Sequence, residues 1–88
     1  MKIKQGFVLR KVMGNAVVIA VGEASRSFRG MVQLNSTAAD IWELIEKGCS
    51  ELEICDAICE KFEVSREVAE QDVKKTLDML SAQGIIEL

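Results

Sequence analysis

The chain has 88 residues, 49% of them hydrophobic and 28% charged, a net charge of −3, and no histidine, proline or tyrosine. Its length fits a single small domain, residues 1–88, whose core is too small to enclose a deep substrate cavity. Without histidine it lacks the usual neutral-pH general base and the imidazole metal ligand, so we expect no enzyme, no cofactor and no metal site. No apolar run approaches the roughly 18 residues of a membrane span and no signal peptide is evident, which predicts a cytoplasmic protein without membrane contacts.

The first third of the chain predicts a β-hairpin. Phe7–Met13 and Ala16–Val21 are short segments rich in β-branched residues, which favour strands. Gly14-Asn15 lies between them, and both residue types tolerate the positive φ of a tight turn. We therefore expect two antiparallel strands joined at Gly14-Asn15.

A third strand is predicted over Ser27–Leu34, after a looser connection at residues 22–25. Alternation in this strand gives two faces, because successive side chains point to opposite sides of a sheet. One face carries Phe28, Val32 and Leu34, and the other carries Arg29, Met31 and Gln33. Gly30 interrupts the pattern and indicates a bulge or a close backbone approach.

From Asn35 onward the hydrophobic period becomes helical. Asn35 is the expected N-cap of a first helix, which has apolar residues at i, i+3, i+4 and i+7 from Ala38, includes Trp42 as a core anchor, and ends at Gly48. The second helix begins at Ser50, which forms a capping box with Glu53, and runs to about residue 62.

A third helix is predicted from the N-cap Ser65 to Gly84. Leu80 and Ile85 occupy the positions of the hydrophobic pair at a Schellman end, and residues 85–88 form a short apolar tail that could add a final strand. The element order predicts an α+β fold, with a three-stranded antiparallel sheet followed by three helices in a winged-helix-like arrangement.

The three cysteines do not follow a metal-binding pattern. Cys49, Cys55 and Cys59 are spaced C-x5-C-x3-C, unlike the paired C-x2-C of zinc sites. Cys55 and Cys59 fall on the apolar arc of the second helix, and Cys49 can pack back on Leu44 after the first. The expected role of all three is structural.

The acidic residues of the helices are expected on a face that is exposed to solvent.

The distribution of charge along the chain bears on two candidate functions, DNA binding and peptide binding. Residues 1–34 carry six basic residues and one acidic residue, a net +5, whereas residues 35–88 carry five basic and thirteen acidic residues, a net −8. The winged-helix arrangement suggests a DNA-binding transcription regulator with residues 65–83 as the recognition helix, but phosphates would be repelled by the acidic helices.

The other binding function uses the edge of the sheet. An extended peptide can add a strand to an exposed edge, and the basic sheet half would favour an acidic peptide. The third strand, Ser27–Leu34, is the expected edge. From the residues alone this hypothesis stands level with an ordinary edge strand that Arg29 protects from aggregation.

The segment from Phe28 to Leu44 resembles the hallmark of the PqqD-like family. It reads FRGMVQLNSTAADIWEL, and family members show F-x-G-x-x-x-L-N-x-T-A-x-x-I-W-x-L. The later segment Val68–Val73, followed by Leu77, Leu80 and residues 84–86, also matches the family's third helix and its ending. The resemblance covers nearly the whole chain.

The resemblance implies a non-catalytic peptide chaperone, a recognition element for ribosomally made and post-translationally modified peptides. Such proteins bind the leader of a precursor peptide as an added strand between the third strand and the third helix, and present it to a modifying enzyme, often a radical S-adenosylmethionine (radical SAM) protein. The expected partners are thus a leader peptide and such an enzyme, with no nucleic acid, and a second copy of the chain is a further candidate. The product, pyrroloquinoline quinone or another, stays open.

Carried onto this sequence, the resemblance implies two sets of peptide-binding residues. The strand side of the groove is Phe28, Arg29, Gly30, Met31, Val32 and Gln33. The helix side is Val68, Asp72, Lys75 and Met79, although either flank of that helix could face the groove.

Overall fold

A computed structural model describes residues 1–28 and 30–88. The elements in chain order are β1 (Lys2–Ile3), β2 (Phe7–Val12), β3 (Asn15–Ala20), α1 (Ala24–Ser27), β4 (Met31–Leu34), α2 (Ser36–Glu46), α3 (Glu51–Phe62), α4 (Arg66–Ala82) and β5 (Ile86–Glu87). None of the helices in the described ranges is long and apolar enough to cross a membrane.

The predicted hairpin forms, but its turn lies one residue earlier than expected. β2 and β3 pair in antiparallel register from Phe7↔Ala20 to Val12↔Asn15. The two turn residues are therefore Met13 and Gly14, with φ of 52° and 83°. Positive φ at both positions is the requirement of a type I′ turn, which matches the twist of the two strands. The prediction of Gly14-Asn15 was wrong because Asn15 already pairs with Val12.

The third strand, β4, is shorter than the sequence indicated. The segment Ala24–Ser27 forms one helical turn, closed by the Phe28 amide, which donates to the Ala24 carbonyl oxygen at 3.0 Å. β4 begins at Met31, so the expected start at Ser27 was wrong, since local hydrogen bonds stabilise the turn instead. Gly30 has φ of 93° and open space around its Cβ position, so it supplies a left-handed conformation and not a close approach.

The helix boundaries follow the capping residues. Asn35 Oδ1 accepts from the Ala38 amide at 2.8 Å, and Ser50 and Glu53 form the predicted capping box at the start of α3. Ser65 caps α4 by accepting from the Val68 amide at 3.2 Å. These three N-caps are confirmed.

The ends of α2 and α4 share one hydrogen-bond pattern. The Ile85 amide donates to the Leu80 carbonyl oxygen at 2.9 Å, and the Cys49 amide donates to that of Leu44 at 3.1 Å. Each bond spans the 6→1 closure of a Schellman motif, with a glycine at the left-handed position before the donor. The Schellman end predicted for the last helix is confirmed.

The apolar tail pairs with a strand that the sequence analysis did not identify. β5 is antiparallel to β1, with Lys2 opposite Glu87 and Ile3 opposite Ile86. The Lys4 amide extends the ladder by donating to the Ile85 carbonyl oxygen at 2.9 Å. A two-stranded sheet thus joins the two ends of the described chain, apart from the three-stranded sheet β2-β3-β4.

One hydrophobic cluster connects the helices with one face of the three-stranded sheet. Trp42 is fully buried within it, which confirms its predicted place in the core. The sheet contributes Ala16, Val18 and Leu34, and the tail contributes Ile85 and Ile86. We call the sheet face with Ala16, Val18 and Leu34 the inner face, because the helices cover it.

Candidate functional site

β4 lies at one edge of the three-stranded sheet. Its neighbour is β3, with Leu34 opposite Ala16 and Met31 opposite Ile19, and the described part of the chain places no strand on its other side. An edge strand presents a row of backbone amides and carbonyls that another extended chain can pair with. The open edge of β4 is therefore a candidate binding site for a peptide backbone.

The register identifies which backbone groups face this edge. The Val21 amide donates to the Gly6 carbonyl oxygen at 2.7 Å, which makes this a hydrogen-bonded pair of the β2–β3 ladder. Because backbone groups of successive residues point to opposite sides of a strand, Val17 and Ile19 also bond toward β2. Ala16 and Val18 consequently bond toward β4.

On β4, the residues opposite Ala16 and Val18 are Leu34 and Val32, so their backbone groups bond to β3. The amide and carbonyl groups of Met31 and Gln33 therefore point away from the sheet. A peptide added at this edge would pair with these two residues.

A cleft of about 210 Å³ lies beside this edge, between the end of β4, the start of α2 and the middle of α4. Leu34, Ala38 and Met79 supply apolar surface, and Asp72 and Lys75 supply charge. The complete lining is Gln33, Leu34, Asn35, Thr37, Ala38, Asp72, Lys75, Thr76 and Met79.

The structure brings four of the proposed binding residues together around this cleft. Gln33 lies on the strand side, and Asp72, Lys75 and Met79 lie on one stripe of α4. Val68 is on the same stripe one turn earlier, outside the lining and 41% exposed.

The other proposed strand residues lie outside the lining. Met31 is 65% exposed and Val32 packs against the core. Phe28 makes an edge-to-face contact with Phe7, with ring centroids 5.3 Å apart. Gly30 precedes β4, and Arg29 lies outside the described residues.

Sequence reasoning missed the residues from the start of α2 and the buried Thr76. Thr37 follows the N-cap and Ala38 begins the apolar stripe of α2, and nothing in a helical period shows that the same turn also borders a cleft. Thr76 carried a signal, because it is a polar residue on the inward side of α4, where it is 9% exposed. Buried polar groups usually have a partner or line a site.

The basic residues of α4 are mostly neutralised by acidic neighbours. Arg66 contacts both Asp56 and Glu70, and its hydrogen bond to Asp56 raises the pKa of the guanidinium further above its usual range. The Lys74 ammonium lies 3.0 Å from a carboxylate oxygen of Asp78. The exposed face of α4 therefore offers phosphates little net positive charge.

The cysteines occupy structural positions. Burial raises the pKa of the Cys55 thiol, and Cys59 Sγ donates to the Val64 carbonyl oxygen at 3.0 Å. Cys49 is half-buried against the core. Within residues 1–28 and 30–88, no three cysteine or acidic side chains come together as a metal site.

A wider cavity of about 800 Å³ lies below the tip of the β2–β3 hairpin, against α2 and the end of α3. Its charged side chains are Lys11, Asp40, Glu43 and Lys61, of which Lys61 and Asp40 form an ion pair at 2.8 Å. Gln33 lines this cavity as well as the cleft, so the two adjoin at the end of β4. We place the candidate site at the edge of β4 because the outward backbone groups of Met31 and Gln33 lie there beside the cleft.

Comparisons with known proteins find a matching family model and similar solved structures. Residues 16–86 match the family model of PqqD, described as coenzyme PQQ synthesis protein D. The structure of TbiB1 in complex with the TbiA(beta) leader peptide superposes with a TM-score of 0.81 at 28% sequence identity, covering 99% of this chain and 95% of that one. This likeness confirms the predicted α+β fold, a three-stranded antiparallel sheet followed by helices.

A second solved structure, lasso peptide synthetase B1 complexed with the leader peptide, has a TM-score of 0.79 at 24% identity. The match covers 96% of this chain and 93% of that chain, and at this identity it shows the fold alone. Among curated protein sequences, none matches the chain.

Proposed function

The chain belongs to the PqqD family, and from this premise we propose that it binds the leader of a ribosomally made precursor peptide as a strand added to the free edge of β4. The similarity to TbiB1, whose structure contains a leader peptide, supports this proposal. Strand addition obtains affinity from main-chain hydrogen bonds and selectivity from side-chain pockets.

The observation that carries the proposal is the orientation of the Met31 and Gln33 backbone. Both residues point their amide and carbonyl groups away from β3, at the edge beside the cleft. A leader strand would pair with them and place alternate side chains toward α4.

The size and lining of the cleft favour a peptide side chain as its occupant. At about 210 Å³ it is smaller than the roughly 300–1,000 Å³ of pockets that enclose whole small molecules. Leu34, Ala38 and Met79 would contact an apolar side chain, while Asp72 and Lys75 could pair with charges on the leader.

We propose that residues 1–88 act as one non-catalytic, cytoplasmic domain and that a separate enzyme, expected to be a radical SAM protein, modifies the bound precursor. The absence of histidine from the sequence supports this division of labour. Tethering would raise the effective concentration of the precursor at the enzyme, and the chaperone would make or break no covalent bond.

The alternative of DNA binding has less support. Arg66 and Lys74 of α4 are engaged by carboxylates, and residues 35–88 carry a net charge of −8. A recognition helix would need basic side chains available to phosphates. A salt-sensitive mobility shift of duplex DNA at micromolar protein would reverse this preference.

A proline substitution tests the strand-addition model. Gln33→Pro removes the outward amide, while a proline at an edge position whose N–H faces solvent is tolerated by the sheet. We expect Gln33→Pro to weaken binding of the precursor peptide encoded beside this gene about fivefold to tenfold, because one main-chain hydrogen bond is lost. Isothermal titration calorimetry measures the change.

Two matched variants separate binding from folding. Gln33→Ala removes the same side chain but keeps the amide, and we expect it to bind the leader like the wild type. Val32→Pro removes an amide that bonds to β3, so it is expected to destabilise the sheet. Equal leader affinity for folded Gln33→Pro and Gln33→Ala would rule out pairing at this amide.

An amide-resolved NMR titration of the chain with the precursor peptide gives a second test. The amide signals that shift should fall within residues 27–34 and 65–80.

A further inference from the structure

The three-stranded sheet has a second face that the helices leave uncovered. We call it the outer face, and it consists of Val8, Arg10, Val12, Asn15, Val17, Ile19, Met31 and Gln33. Alternation places these side chains opposite Ala16, Val18 and Leu34 of the inner face. None of the outer-face residues belongs to the hydrophobic cluster or packs against it.

The outer face is more apolar than a solvent-exposed sheet face requires. An antiparallel sheet covered on one side usually alternates between apolar inward and polar outward residues. Here β3 carries Val17, which is 8% exposed, and the half-buried Ile19 on the outward side, while Val12 and Met31 are 53% and 65% exposed. Val8, Ile19 and Met31 form one apolar row across the three strands, and an uncovered apolar surface often marks an interaction site.

One positive charge, Arg10, lies on the β2 side of this face. Arg10 stands opposite Val17, which stands opposite Gln33, so the three form one row across the sheet. Arg10 makes no ion pair with any of the described residues, and it is the charged residue that β2, β3 and β4 place on the outer face. Its guanidinium is therefore available to a carboxylate from outside the chain.

We propose that the outer face docks a second, different protein, whose contact surface is apolar and carries a carboxylate opposite Arg10. The charge argues against a second copy of this chain packed face to face, because the outer face of the described strands carries no acidic residue that could pair with Arg10. This inference goes beyond leader binding. Met31 and Gln33 contribute backbone groups to the leader edge and side chains to the outer face, whereas Arg10 lies on β2, at the other edge of the sheet.

The chain offers a matched pair of variants to test this docking face. Arg10→Glu reverses the charge on the outer face, whereas Lys11→Glu makes the same change one residue later, on the side that borders the cavity below the hairpin. The probe is the purified modifying enzyme encoded beside this gene. We expect Arg10→Glu to weaken its binding at least about tenfold, and Lys11→Glu to change it by less than about twofold.

Each outcome decides between the alternatives. Equal affinities of the two variants, or no binding of the wild-type chain, would overturn the docking face. Wild-type dimers that Arg10→Glu disrupts in sedimentation, or binding to phosphatidylserine vesicles that it abolishes, would assign the face to another occupant. Leader affinity, measured on the same variants, should stay unchanged. If the wild-type chain does not bind the leader peptide, the proposed function is contradicted but this inference is not.

Discussion

Cys55 illustrates how position within a helix decides the chemistry of a side chain. It lies on the buried side of α3 and is 4% exposed. Burial raises the pKa of its thiol, Arg66 opposes this with the next largest effect, and nearby Glu51 and Glu70 raise the pKa by smaller amounts. The thiolate is the nucleophile and metal ligand, so this cysteine is held in its inert form.

The raised pKa of Cys55 predicts an alkaline loss of stability. Above the ordinary thiol pKa of 9.0 the unfolded chain releases this proton while the native chain retains it, so the free energy of unfolding falls as pH rises. Urea unfolding at about pH 8 and about pH 10 measures the change, and Cys55→Ala should show a smaller decrease. An equal decrease in both proteins would show that the buried thiol is not its source.

At the scale of elements, the β2–β3 hairpin holds a residue that its turn does not favour. Met13 has φ of 52° and is 97% exposed, so no tertiary contact compensates for its left-handed backbone. A type I′ turn prefers asparagine followed by glycine, and Gly14 already supplies the second residue. The turn is therefore dictated by strand register and twist, against the preference of Met13.

Replacing Met13 with asparagine should stabilise the protein. We expect Met13→Asn to raise the free energy of unfolding by about 0.5–1 kcal/mol, because asparagine tolerates the left-handed region better. Gly14→Ala is the matched control at φ of 83°, where the open surroundings leave only backbone strain, and it should lower stability by about 1–2 kcal/mol. Urea unfolding followed by circular dichroism would measure both, and a stabilising Gly14→Ala would contradict the turn assignment.

At the scale of the whole molecule, the sheet β1–β5 closes the core. Ile86 is 3% exposed and belongs to the hydrophobic cluster, and Ile3 packs against that cluster from the other strand. The tail is therefore part of the core, although its strand has two residues. Its stability comes from burial and not from the length of the ladder.

Neighbouring variants in β5 separate burial from surface charge. We expect Ile86→Ala to lower the free energy of unfolding by about 2–5 kcal/mol, as is usual for truncation of a buried isoleucine. Glu87→Ala removes the exposed ion pair with Lys2 at 3.8 Å and should cost well under about 1 kcal/mol. Similar small effects at both positions, measured by urea unfolding, would mean that the tail does not complete the core.

The fold places the net positive charge of residues 1–34 and the net negative charge of residues 35–88 on different parts of the molecule. The residues before Asn35 are net positive and those after are net negative, and the fold assigns them largely to the sheets and to the helices. This places Arg10 on an uncovered sheet face, while Arg66 and Lys74 of α4 are neutralised locally. The same division opposes DNA at the helices and favours an acidic partner at the sheet.

The three long helices and the hairpin could be predicted from the order of the residues. Asn35, Ser50 and Ser65 cap helices through bonds to residues three positions away, and the apolar stripe around Trp42 follows from the helical period. Interactions this close along the chain are visible in the order of the residues. The candidate site was predicted in part from the family motif, which supplied β4 and one stripe of α4.

Features that depend on distant segments of the chain follow from tertiary packing and could not be predicted. The pairing of Ile3 with Ile86 joins opposite ends of the chain, and the outward direction of the Gln33 amide depends on the register of two strand pairs. Thr37 and Thr76 both line the cleft because α2 and α4 pack together. Such contacts are fixed by the packing of segments far apart in the chain, which no local periodicity records.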